Sequence, residues 1–302
     1  MRPQTAAPRV ICAGHVNWDV TLQVDALPEP DGEARIERQS RSGGGSAANV
    51  AAALAGLDVS AGLVGSVGDD EPGLLARREL AGLDVDLSHL QVVSDAETSV
   101  KYLIVAGGGE VMVLGNDGAN EAVAPGDVDP DYVGRAEHLH LTSQRPDTAA
   151  RLAAVARDAG LTVSFDPGRR LGSRDFSAAL DRANVVFVND REAETVLDRR
   201  YDEPIPPRDD AVLVVKHGGD GAVVRTAEAT YRHPGFEVDP VDTTGAGDAF
   251  AAGFLSVLLV DGDYERALEF ANACGALTAR QRGARSAPSG EAVAAFLAEQ
   301  YA

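Results

Sequence analysis

Short runs of apolar residues alternate with longer segments of helical periodicity along most of the chain. The apolar runs are rich in Val, and their length is typical of strands that are buried on both faces of a parallel sheet. They lie at residues 9–13, 59–67, 161–165, 185–188 and 211–216. Helices are expected at residues 46–55, 72–81 and 148–159 and over most of residues 248–302. This alternation predicts an α/β fold with a doubly wound, mostly parallel sheet, formed by one domain over residues 1–302.

Two stretches depart from this pattern and predict a small second sheet. Residues 20–41 alternate in two short pieces around a turn cluster at residues 27–32, and residues 98–114 alternate around Gly107-Gly108-Gly109-Glu110. Glycine-rich turns between alternating segments indicate hairpins. We therefore expect about residues 19–41 and 97–116 to form a separate sheet over the main domain.

The charge composition limits the kinds of partner. The chain has 302 residues, with 27 Lys and Arg against 47 Asp and Glu, and a formal net charge of −20. Binding to nucleic acid or to an anionic membrane needs a basic face, so neither partner is expected. Only Lys101 and Lys216 are lysines, and the acid excess together with scarce lysine indicates a proteome adapted to high salt. A GC-rich genome would also explain the few lysines, but it would not explain the net charge.

Cysteine use and hydropathy indicate a cytoplasmic protein. Cys12 and Cys274 are the only cysteines and have no motif spacing, so neither a disulfide framework nor a zinc site is expected. No apolar run reaches the length of about 18 residues that suggests a transmembrane helix.

Two nucleotide-binding motifs are absent, the Walker-type phosphate loop and GxGxxG. The absence of GxGxxG disfavours a dinucleotide-dependent dehydrogenase.

The most informative segment is the string DTTGAGDAFAAGF at residues 242–254. Gly245 and Gly247 precede an apolar helix that is expected over residues 249–260. Free backbone N–H groups at a helix start make an anion site, and glycines let a phosphate approach them closely. Asp248 would lie in the first turn of that helix, where a carboxylate either caps the helix or takes a proton from an attacking hydroxyl.

This string resembles the C-terminal signature of the PfkB, or ribokinase-like, family of sugar and nucleoside kinases. The family's other signature, a Gly-Gly run followed by an Asn at a helix start, is matched by GGGSAAN at residues 43–49. The resemblance covers nearly the whole chain and implies an ATP-dependent carbohydrate kinase with a ribokinase-like fold. It further implies Asp248 as the general base and Gly245, Ala246 and Gly247 as the anion hole for the transferring γ-phosphoryl group. A non-catalytic, ligand-binding member of the fold is the alternative, and the presence of Asp248 weighs against it.

The resemblance also implies a set of sugar-binding residues. Asn17 and Asp19 lie in GHVNWD at residues 14–19, which resembles the family's Gly-x-x-Asn-x-Asp segment and is expected at the end of the first strand. Two residues apart in an extended strand, they face the same side and offer a donor and acceptors that suit a vicinal diol. An Asx turn that ends the strand is the alternative. Further sugar contacts are implied at Gly44, Gly45 and Asn49.

On the donor side, the resemblance implies ATP and Mg²⁺ as cofactors. Asn189 and Glu192 match the family's Asn-x-x-Glu motif, which organises magnesium and its waters; a helix start with acidic residues in its first turn is the alternative. Further nucleotide contacts are implied at Lys216, Gly218, Gly221 and Asn272 and in the loop at residues 283–288. Asp242 and Thr244 resemble a site for a monovalent cation, such as K⁺, that part of the family has.

The two irregular stretches resemble the β-lid that closes over the sugar in this family. Closure excludes water and so limits wasteful hydrolysis of ATP. The lid is often a dimer interface as well, so the resemblance implies a homodimer formed through the lid.

The acceptor is harder to specify, because the chain departs from ribokinase at one position. Where ribokinase has a sugar-binding Glu, this chain has Ser143, which would tolerate a phosphate on the substrate. Arg145, Arg169 and Arg170 lie nearby in the pattern, and Lys101 lies on an expected lid strand. Arginine forks suit phosphate, so we expect ribose 1-phosphate or a nucleoside, phosphorylated at its 5-hydroxyl, with Lys101, Ser143 and Arg169 as substrate contacts. The alternatives are free ribose, fructose or 2-keto-3-deoxygluconate as acceptor, and solvated surface charges as the role of the arginines.

Overall fold

The computed structural model describes residues 7–107, 110–199 and 210–301. Within these ranges the strands are β1 (Val10–Ala13), β2 (Asn17–Val24), β3 (Ile36–Gly44), β4 (Ala61–Gly68), β5 (Leu90–Val93), β6 (Ser99–Ala106), β7 (Val111–Gly115), β8 (His138–Thr142), β9 (Thr162–Asp166), β10 (Val185–Asn189), β11 (Val212–Lys216), β12 (Ala222–Arg225) and β13 (Thr230–His233). The helices are α1 (Ser46–Gly56), α2 (Glu71–Gly82), α3 (Pro130–Val133), α4 (Pro146–Asp158), α5 (Ser177–Leu180), α6 (Asp190–Arg199), α7 (Ala246–Asp261), α8 (Tyr264–Ala279) and α9 (Gly290–Gln300).

The larger sheet is doubly wound. In the described part of the chain it has nine strands in the order β13-β12-β11-β10-β9-β8-β1-β4-β5. Neighbouring strands from β11 to β5 are parallel, and β12 and β13 extend one edge in antiparallel orientation. The α/β class and the mostly parallel sheet expected from the sequence are therefore confirmed. The strand order reverses between β1 and β8, and α/β proteins bind ligands in the crevice at the carboxyl ends of the strands at such a point.

Strand β1 shows how this sheet is buried on both faces. Val10 packs in the cluster that contains Leu54 of α1 and Phe254 of α7. The next residue, Ile11, belongs to the opposite cluster with Leu152 of α4. Because side chains alternate between two buried faces, the strand has to be apolar throughout, which explains the uninterrupted apolar runs in the sequence.

The smaller sheet, which we call the lid sheet, consists of β2, β3, β6 and β7 in the order β3-β2-β6-β7. Strands β2 and β6 run parallel with Asn17 opposite Ser99, and the other pairs are antiparallel. The two irregular stretches of sequence thus pair with each other, although the first one extends from Asn17 to Gly44 and not from residue 19 to residue 41. Gly108 and Gly109, expected in the hairpin turn, lie outside the described residues.

Two sequence-based expectations need correction. Asn17 and Asp19 do not end the first strand: β1 ends at Ala13, the chain turns, and both residues belong to β2 of the lid sheet. Strands β5, β8, β12 and β13 were not expected from the sequence, and the sequence of β8, HLHLT, is not the apolar run expected of a strand buried on both faces. His138 and His140 are both buried, and a ring nitrogen of each lies 2.7 Å from Ser164 Oγ.

None of the described helices is long and apolar enough to span a membrane.

Candidate active site

The start of helix α7 is shaped by Gly245. This residue has a φ of +81°, in the left-handed region that favours glycine, and a Cβ atom there would lie 2.2 Å from the carbonyl oxygen of Ala284. The N–H of Ala246 donates to Thr243 O at 3.2 Å, so it is already engaged. Gly247 is exposed, and residues in the first turn of a helix lack an intrahelical acceptor for their N–H groups. Of the three expected anion-hole residues, Gly247 is therefore the most exposed.

Asp248 lies in the first turn of α7 and contacts α1. Asn49 Nδ2 donates to Asp248 Oδ2 at 2.8 Å, whereas no side chain caps the helix at its first residue. Burial raises the pKa of Asp248 to about 6 and the charge of Asp166 adds to the rise, while the hydrogen bond from Asn49 and the charges of Lys216 and Lys101 oppose it. A carboxyl group with a pKa near neutrality suits a general base better than a helix cap.

Asn17 and Asp19 bring unpaired polar atoms to one face of β2. Both side chains are buried. Asn17 Oδ1 accepts from Asn120 Nδ2 at 2.6 Å, but Asn17 Nδ2 and Asp19 Oδ1 have no hydrogen-bond partner among the described residues. Burial raises the pKa of Asp19 to about 6, and Lys101 and Arg285 oppose the rise. Buried polar atoms are almost always paired, so an unpaired donor and an unpaired acceptor indicate a place for a ligand.

The glycines that precede α1 allow the chain to pass close to these side chains. A Cβ atom on Gly44 would lie 2.2 Å from Asp19 Oδ2. Gly45, the first residue before α1, has a φ of +91°, and a Cβ atom there would lie 2.4 Å from His15 O. Both expected sugar contacts are therefore positions where the fold has no room for a side chain.

A cleft of about 580 Å³ opens beside the start of α7. Its lining includes the five residues expected to contact the nucleotide, Asn189, Lys216, Gly218, Gly221 and Asn272. Ala246 and Gly247 line it as well, so the cleft extends to the expected anion hole. Residues 235–238, Pro240 and Thr243 complete part of the wall and were not expected. Residues 235–238 and Pro240 lie between β13 and α7 in a segment without a recognisable motif, whereas Thr243 belongs to the string at residues 242–254.

Lys216 connects strand β11 with the start of α7. Its ammonium group donates to Asp166 Oδ2 at 2.6 Å and lies 3.5 Å from the position that a Cβ atom on Gly247 would take. Burial lowers the pKa of Lys216, but the carboxylates of Asp166, Asp248 and Glu192 outweigh burial and raise the pKa above its usual value. The group is therefore charged at neutral pH and stands where a phosphate at the start of α7 would need a cation.

Asn189 and Glu192 bind each other's backbone. The Asn189 N–H donates to Glu192 Oε2 and the Glu192 N–H donates to Asn189 Oδ1, each at 3.0 Å. This is the helix-start arrangement considered as the alternative for this motif. Among the described residues no group of three His, Cys, Asp or Glu side chains is arranged to hold a metal ion. Asn189 and Glu192 offer an amide and a carboxylate, which are oxygen groups of the kind that a hydrated Mg²⁺ contacts through its waters.

Asp242 organises the loop before α7. Its Oδ1 accepts from the Thr244 N–H at 2.9 Å, and its Oδ2 accepts from the Gly283 N–H at 3.0 Å. Ser286 Oγ donates to Gly283 O at 2.7 Å. The segments expected to share a monovalent-cation site are thus adjacent, although both carboxylate oxygens of Asp242 already accept backbone hydrogen bonds.

Comparison with known proteins identifies the family. Residues 7–290 match the model of the pfkB family carbohydrate kinases. The chain belongs to this family. An ATP-dependent ribose-1-phosphate kinase from the archaeon Halopiger xanaduensis is 62% identical over 293 residues, which are 97% of this chain and 99% of the relative. Probable fructokinase-6, chloroplastic, from Arabidopsis thaliana is 32% identical over 322 residues, covering 95% of this chain and 82% of the relative.

Solved structures agree with the family assignment at the level of the fold. A nucleoside kinase from Methanocaldococcus jannaschii, described as an archaeal member of the ribokinase family, aligns with a TM-score of 0.84. The alignment covers 96% of this chain and 98% of that chain at 24% sequence identity. The fold of this pfkB family chain is therefore ribokinase-like, as expected from the two sequence signatures.

We call the site around Asn17, Asp19, Gly44 and Ser143 the acceptor pocket of this pfkB family chain. Arginines lie near its Ser143 end. Ser143 follows β8, and its buried Oγ has no hydrogen-bond partner among the described residues. Arg170 and Arg174 both donate to Glu121 Oε1, the latter at 2.7 Å, and His15 Nε2 lies 3.4 Å from the same oxygen. The hydrogen bond with His15, together with the two guanidinium groups, lowers the pKa of Glu121 to about 2. Arg170 also pairs with Asp117, so the two arginines are balanced by two carboxylates.

The other basic residues expected near the acceptor differ in their placement. The Arg145 guanidinium binds Asp147 through Nε at 3.0 Å and Nη2 at 2.6 Å, so the alternative of a surface charge applies to it. Arg169 is exposed, and no contact places it at the pocket. Lys101 lies opposite Asp19 in the register of β2 and β6 and is exposed. Its positive charge opposes the rise in the pKa of Asp19.

Three residues of the acceptor pocket escaped the sequence analysis. Asn120 positions the start of β2, since its Oδ1 accepts from the Val16 N–H at 3.0 Å in addition to its bond with Asn17. Glu121, the next residue, holds the two arginines. Arg285 belongs to the loop expected beside the adenine, yet its Nη2 donates to Gly44 O at 2.9 Å on the sugar side. No local signal marks them, because each residue reaches the pocket from a loop without a motif.

Proposed function

We propose that this protein is an ATP-dependent kinase that transfers the γ-phosphoryl group of ATP to the 5-hydroxyl of ribose 1-phosphate. The bond between the γ-phosphorus and its bridging oxygen breaks, and a bond between that phosphorus and O5 forms. The products are ADP, ribose 1,5-bisphosphate and one proton. The observation that carries the proposal is the position of Asp248, which follows the cleft-lining Gly247 and accepts a hydrogen bond from Asn49 of α1, the helix that follows Gly44 and Gly45.

Asp248 accepts the proton of the 5-hydroxyl as O5 attacks. With a pKa of about 6 it is ionised at neutral pH and still basic enough to take a proton. Asn49 holds one of its oxygens, which leaves the other free for the substrate. The charge on the transferring group is stabilised by the Gly247 N–H, the positive end of α7 and the Lys216 ammonium group.

The acceptor pocket supports a ribose that carries a phosphate at C1. Asn17 Nδ2 and Asp19 Oδ1 are an unpaired donor and acceptor suited to the 2,3-diol. At the other end, Ser143 offers a free hydroxyl and Lys101 a positive charge, while Arg170 and Arg174 are balanced by Glu121 and Asp117. The charge of Lys101 suits a substrate phosphate. The 62% identical relative, which is named for ribose 1-phosphate, supports the same acceptor.

A nucleoside is the second candidate acceptor. It has the same diol and 5-hydroxyl, and the unpaired Ser143 hydroxyl is a neutral group that can serve a base as well as a phosphate. Lys101 favours ribose 1-phosphate over this candidate, because a neutral base does not use its charge.

We propose two cations as cofactors. Mg²⁺ neutralises charge on the phosphates of ATP, and Asn189 and Glu192 would hold it through its waters. A monovalent cation such as K⁺ is proposed beside Asp242 and Thr244, where the loop at Gly283 joins the start of α7.

We also propose that the lid sheet closes over the sugar and joins two copies of the chain. Its far end exposes large apolar side chains, among them Ile36, Val111 and Leu114, each more than half exposed. Exposed apolar patches of this kind mark interaction sites.

A cytoplasmic location is proposed from the two buried, unpaired cysteines, which suit a reducing compartment.

The decisive experiment compares acceptors. The purified protein in high KCl with Mg²⁺ and ATP is offered ribose 1-phosphate, nucleosides, ribose, fructose and 2-keto-3-deoxygluconate, and ADP formation is followed. We expect the highest kcat/KM with ribose 1-phosphate and a bisphosphate product. A preference for nucleosides would favour the second candidate, and a preference for fructose or the keto acid would reject both.

A further inference from the structure

Arg285 is a buried arginine with an incomplete set of partners. Its side chain is only 3% exposed, although it comes from the loop between α8 and α9. Its Nη2 donates to Gly44 O at 2.9 Å, and its Nε donates to Asn49 Oδ1 at 3.4 Å. Its Nη1 lies 3.4 Å from Glu79 Oε1 but has no hydrogen-bond partner among the described residues. Burying such a charge is unfavourable unless a specific arrangement requires it.

The backbone around Arg285 leaves space for a guanidinium group. A Cβ atom on Gly43 would lie 1.9 Å from Arg285 Nη1, so a side chain at position 43 would displace the arginine. The Gly43 N–H donates to Glu79 Oε2 at 3.0 Å, which holds the glycine beside the carboxylate that balances the arginine charge. Gly43 provides the space and Glu79 the counter-charge for the Arg285 guanidinium group, and we call this position the seat of Arg285.

The contacts of Asn49 show what Arg285 does in this position. The amide of Asn49 lies between Arg285, which can only donate hydrogen bonds, and Asp248, whose ionised carboxylate can only accept them. The amide therefore has one favourable orientation, with Oδ1 toward the arginine and Nδ2 toward the carboxylate. Without the arginine, the amide would be free to rotate and to withdraw its N–H from Asp248.

We propose that Arg285 is a positioning residue that fixes the amide of Asn49 and, through it, the carboxylate of Asp248. The proposal rests on the proposed function in one respect, namely that Asp248 is the base. Arg285 thus links the loop beside the nucleotide cleft with the sugar pocket, and its effect on turnover passes through Asn49.

A double-mutant cycle tests this proposal. Loss of a hydrogen bond to a charged group typically costs about tenfold or more, so we expect Arg285→Met to lower kcat about tenfold and to change the KM for ATP by less than about twofold. Because Arg285 acts through Asn49, the variant Asn49→Ala/Arg285→Met should be no slower than Asn49→Ala alone. Multiplied losses in the double variant would overturn the proposal, since Arg285 would then act independently.

A purely structural role gives a different result. It predicts a lower melting temperature for Arg285→Met with an unchanged kcat of the folded protein, and this outcome would reject the proposal. A direct contact with the substrate would instead raise the KM for the acceptor at unchanged kcat, which would also reject it. Arg282→Met is the matched control, because Arg282 is an exposed arginine close by in the chain.

Two further variants keep the test informative if Arg285→Met does not fold. Arg285→Lys retains the charge but not the fork that reaches Gly44 and Asn49 together, so its kcat should fall between those of wild type and Arg285→Met. Gly43→Ala leaves the arginine in place but obstructs its seat, and it should lower kcat as Arg285→Met does. Full activity of both variants would contradict the proposal. Turnover by wild type and Arg282→Met measures the proposed function separately, because the inference concerns only the ratio of each variant to wild type.

Discussion

The acceptor pocket and the donor cleft recognise their ligands in different ways. In the acceptor pocket, buried side-chain atoms of Asn17, Asp19 and Ser143 have no partner among the described residues. The donor cleft is lined largely by backbone and small residues, including Gly218 and Gly221, with Lys216 as its cation. A sugar is defined by the directions of its hydroxyls, which fixed amides and carboxylates can match. A phosphate chain is defined by charge and can be bound by N–H groups and one ammonium group.

This difference indicates which substitutions should affect the binding of each substrate. Changes to side chains of the acceptor pocket should alter acceptor binding alone, whereas the donor cleft offers few side chains to remove. Asp248 lies where the two regions meet and should affect the chemical step itself. The predictions below use these distinctions.

The largest effect is expected for Asp248→Asn, which removes the proton acceptor shared by both regions. General bases contribute about 10² to 10⁴ in rate, so kcat should fall at least a hundredfold while both KM values change little. Asp261→Asn at the far end of α7 is the control. A loss of less than about tenfold in steady-state turnover would contradict the assignment of the base.

Asp19→Ala should weaken the use of the acceptor without changing the binding of ATP. A hydrogen bond to a charged group contributes about 1.5–3 kcal/mol, so kcat/KM for the acceptor should fall about tenfold to a hundredfold. The KM for ATP should stay within about twofold of the wild-type value, as in the control Glu37→Ala on the exposed part of the lid sheet. Equal increases in both KM values would show that the two regions are not separable.

Lys216→Met is the corresponding change on the donor side. It removes the ammonium group beside Gly247, and the KM for ATP should rise about tenfold with little change for the acceptor. Because the substitution leaves Asp166 without its partner, Asp166→Asn/Lys216→Met serves as the control for an unpaired carboxylate. A normal KM for ATP in both variants would remove Lys216 from the donor site.

Acidification should lower activity before it unfolds the protein. The pKa values of Asp248 and Asp19 are both raised to about 6, so activity should fall as the pH drops through 6, to about a tenth at pH 5 if one group dominates. A carboxyl group whose pKa is raised by folding stabilises the folded state at low pH, and this contribution is lost as the pH rises through 6. Buried His138 and His140 act in the opposite direction, because their pKa values are lowered to about 3 and about 4 and the unfolded chain takes up their protons first. We therefore expect a lower melting temperature at pH 5 than at pH 7, and activity is compared at a temperature at which circular dichroism shows folded protein at both. A loss of activity that only follows the loss of folded protein would contradict the prediction.

The smallest effect is expected for Lys101→Met, because this side chain is exposed. The KM for ribose 1-phosphate should rise about fivefold, and that for a neutral nucleoside should hardly change. Arg38→Met, another charge on the lid sheet, is the control. Equal effects on the charged and the neutral acceptor would exclude a phosphate contact.

Sequence reasoning predicted the two regions unequally, for a physical reason. The donor cleft uses turns that follow strands, and such turns carry local signatures, so Asn189, Lys216, Gly218 and Gly221 line the cleft as expected, together with Asn272 of α8. The loop at residues 283–288 was also expected there but is not part of the lining. The acceptor pocket depends on contacts between distant segments, which explains why Asn120 and Arg285 were missed. The main strands were predictable because they are apolar on both faces. Strand β8 was missed because its histidines are buried through contacts with Ser164 of the neighbouring strand, and such contacts between distant segments are not visible from the sequence.

The contact between Gly43 and Arg285 constrains how the pocket can evolve. A side chain at position 43 would occupy the space of the Arg285 guanidinium group, so the arginine would have to leave its present position. Position 43 is therefore constrained for as long as the arginine is buried there, whereas Gly43 places no such constraint on position 285. Relatives that carry a side chain at position 43 should accordingly lack an arginine placed as Arg285 is here.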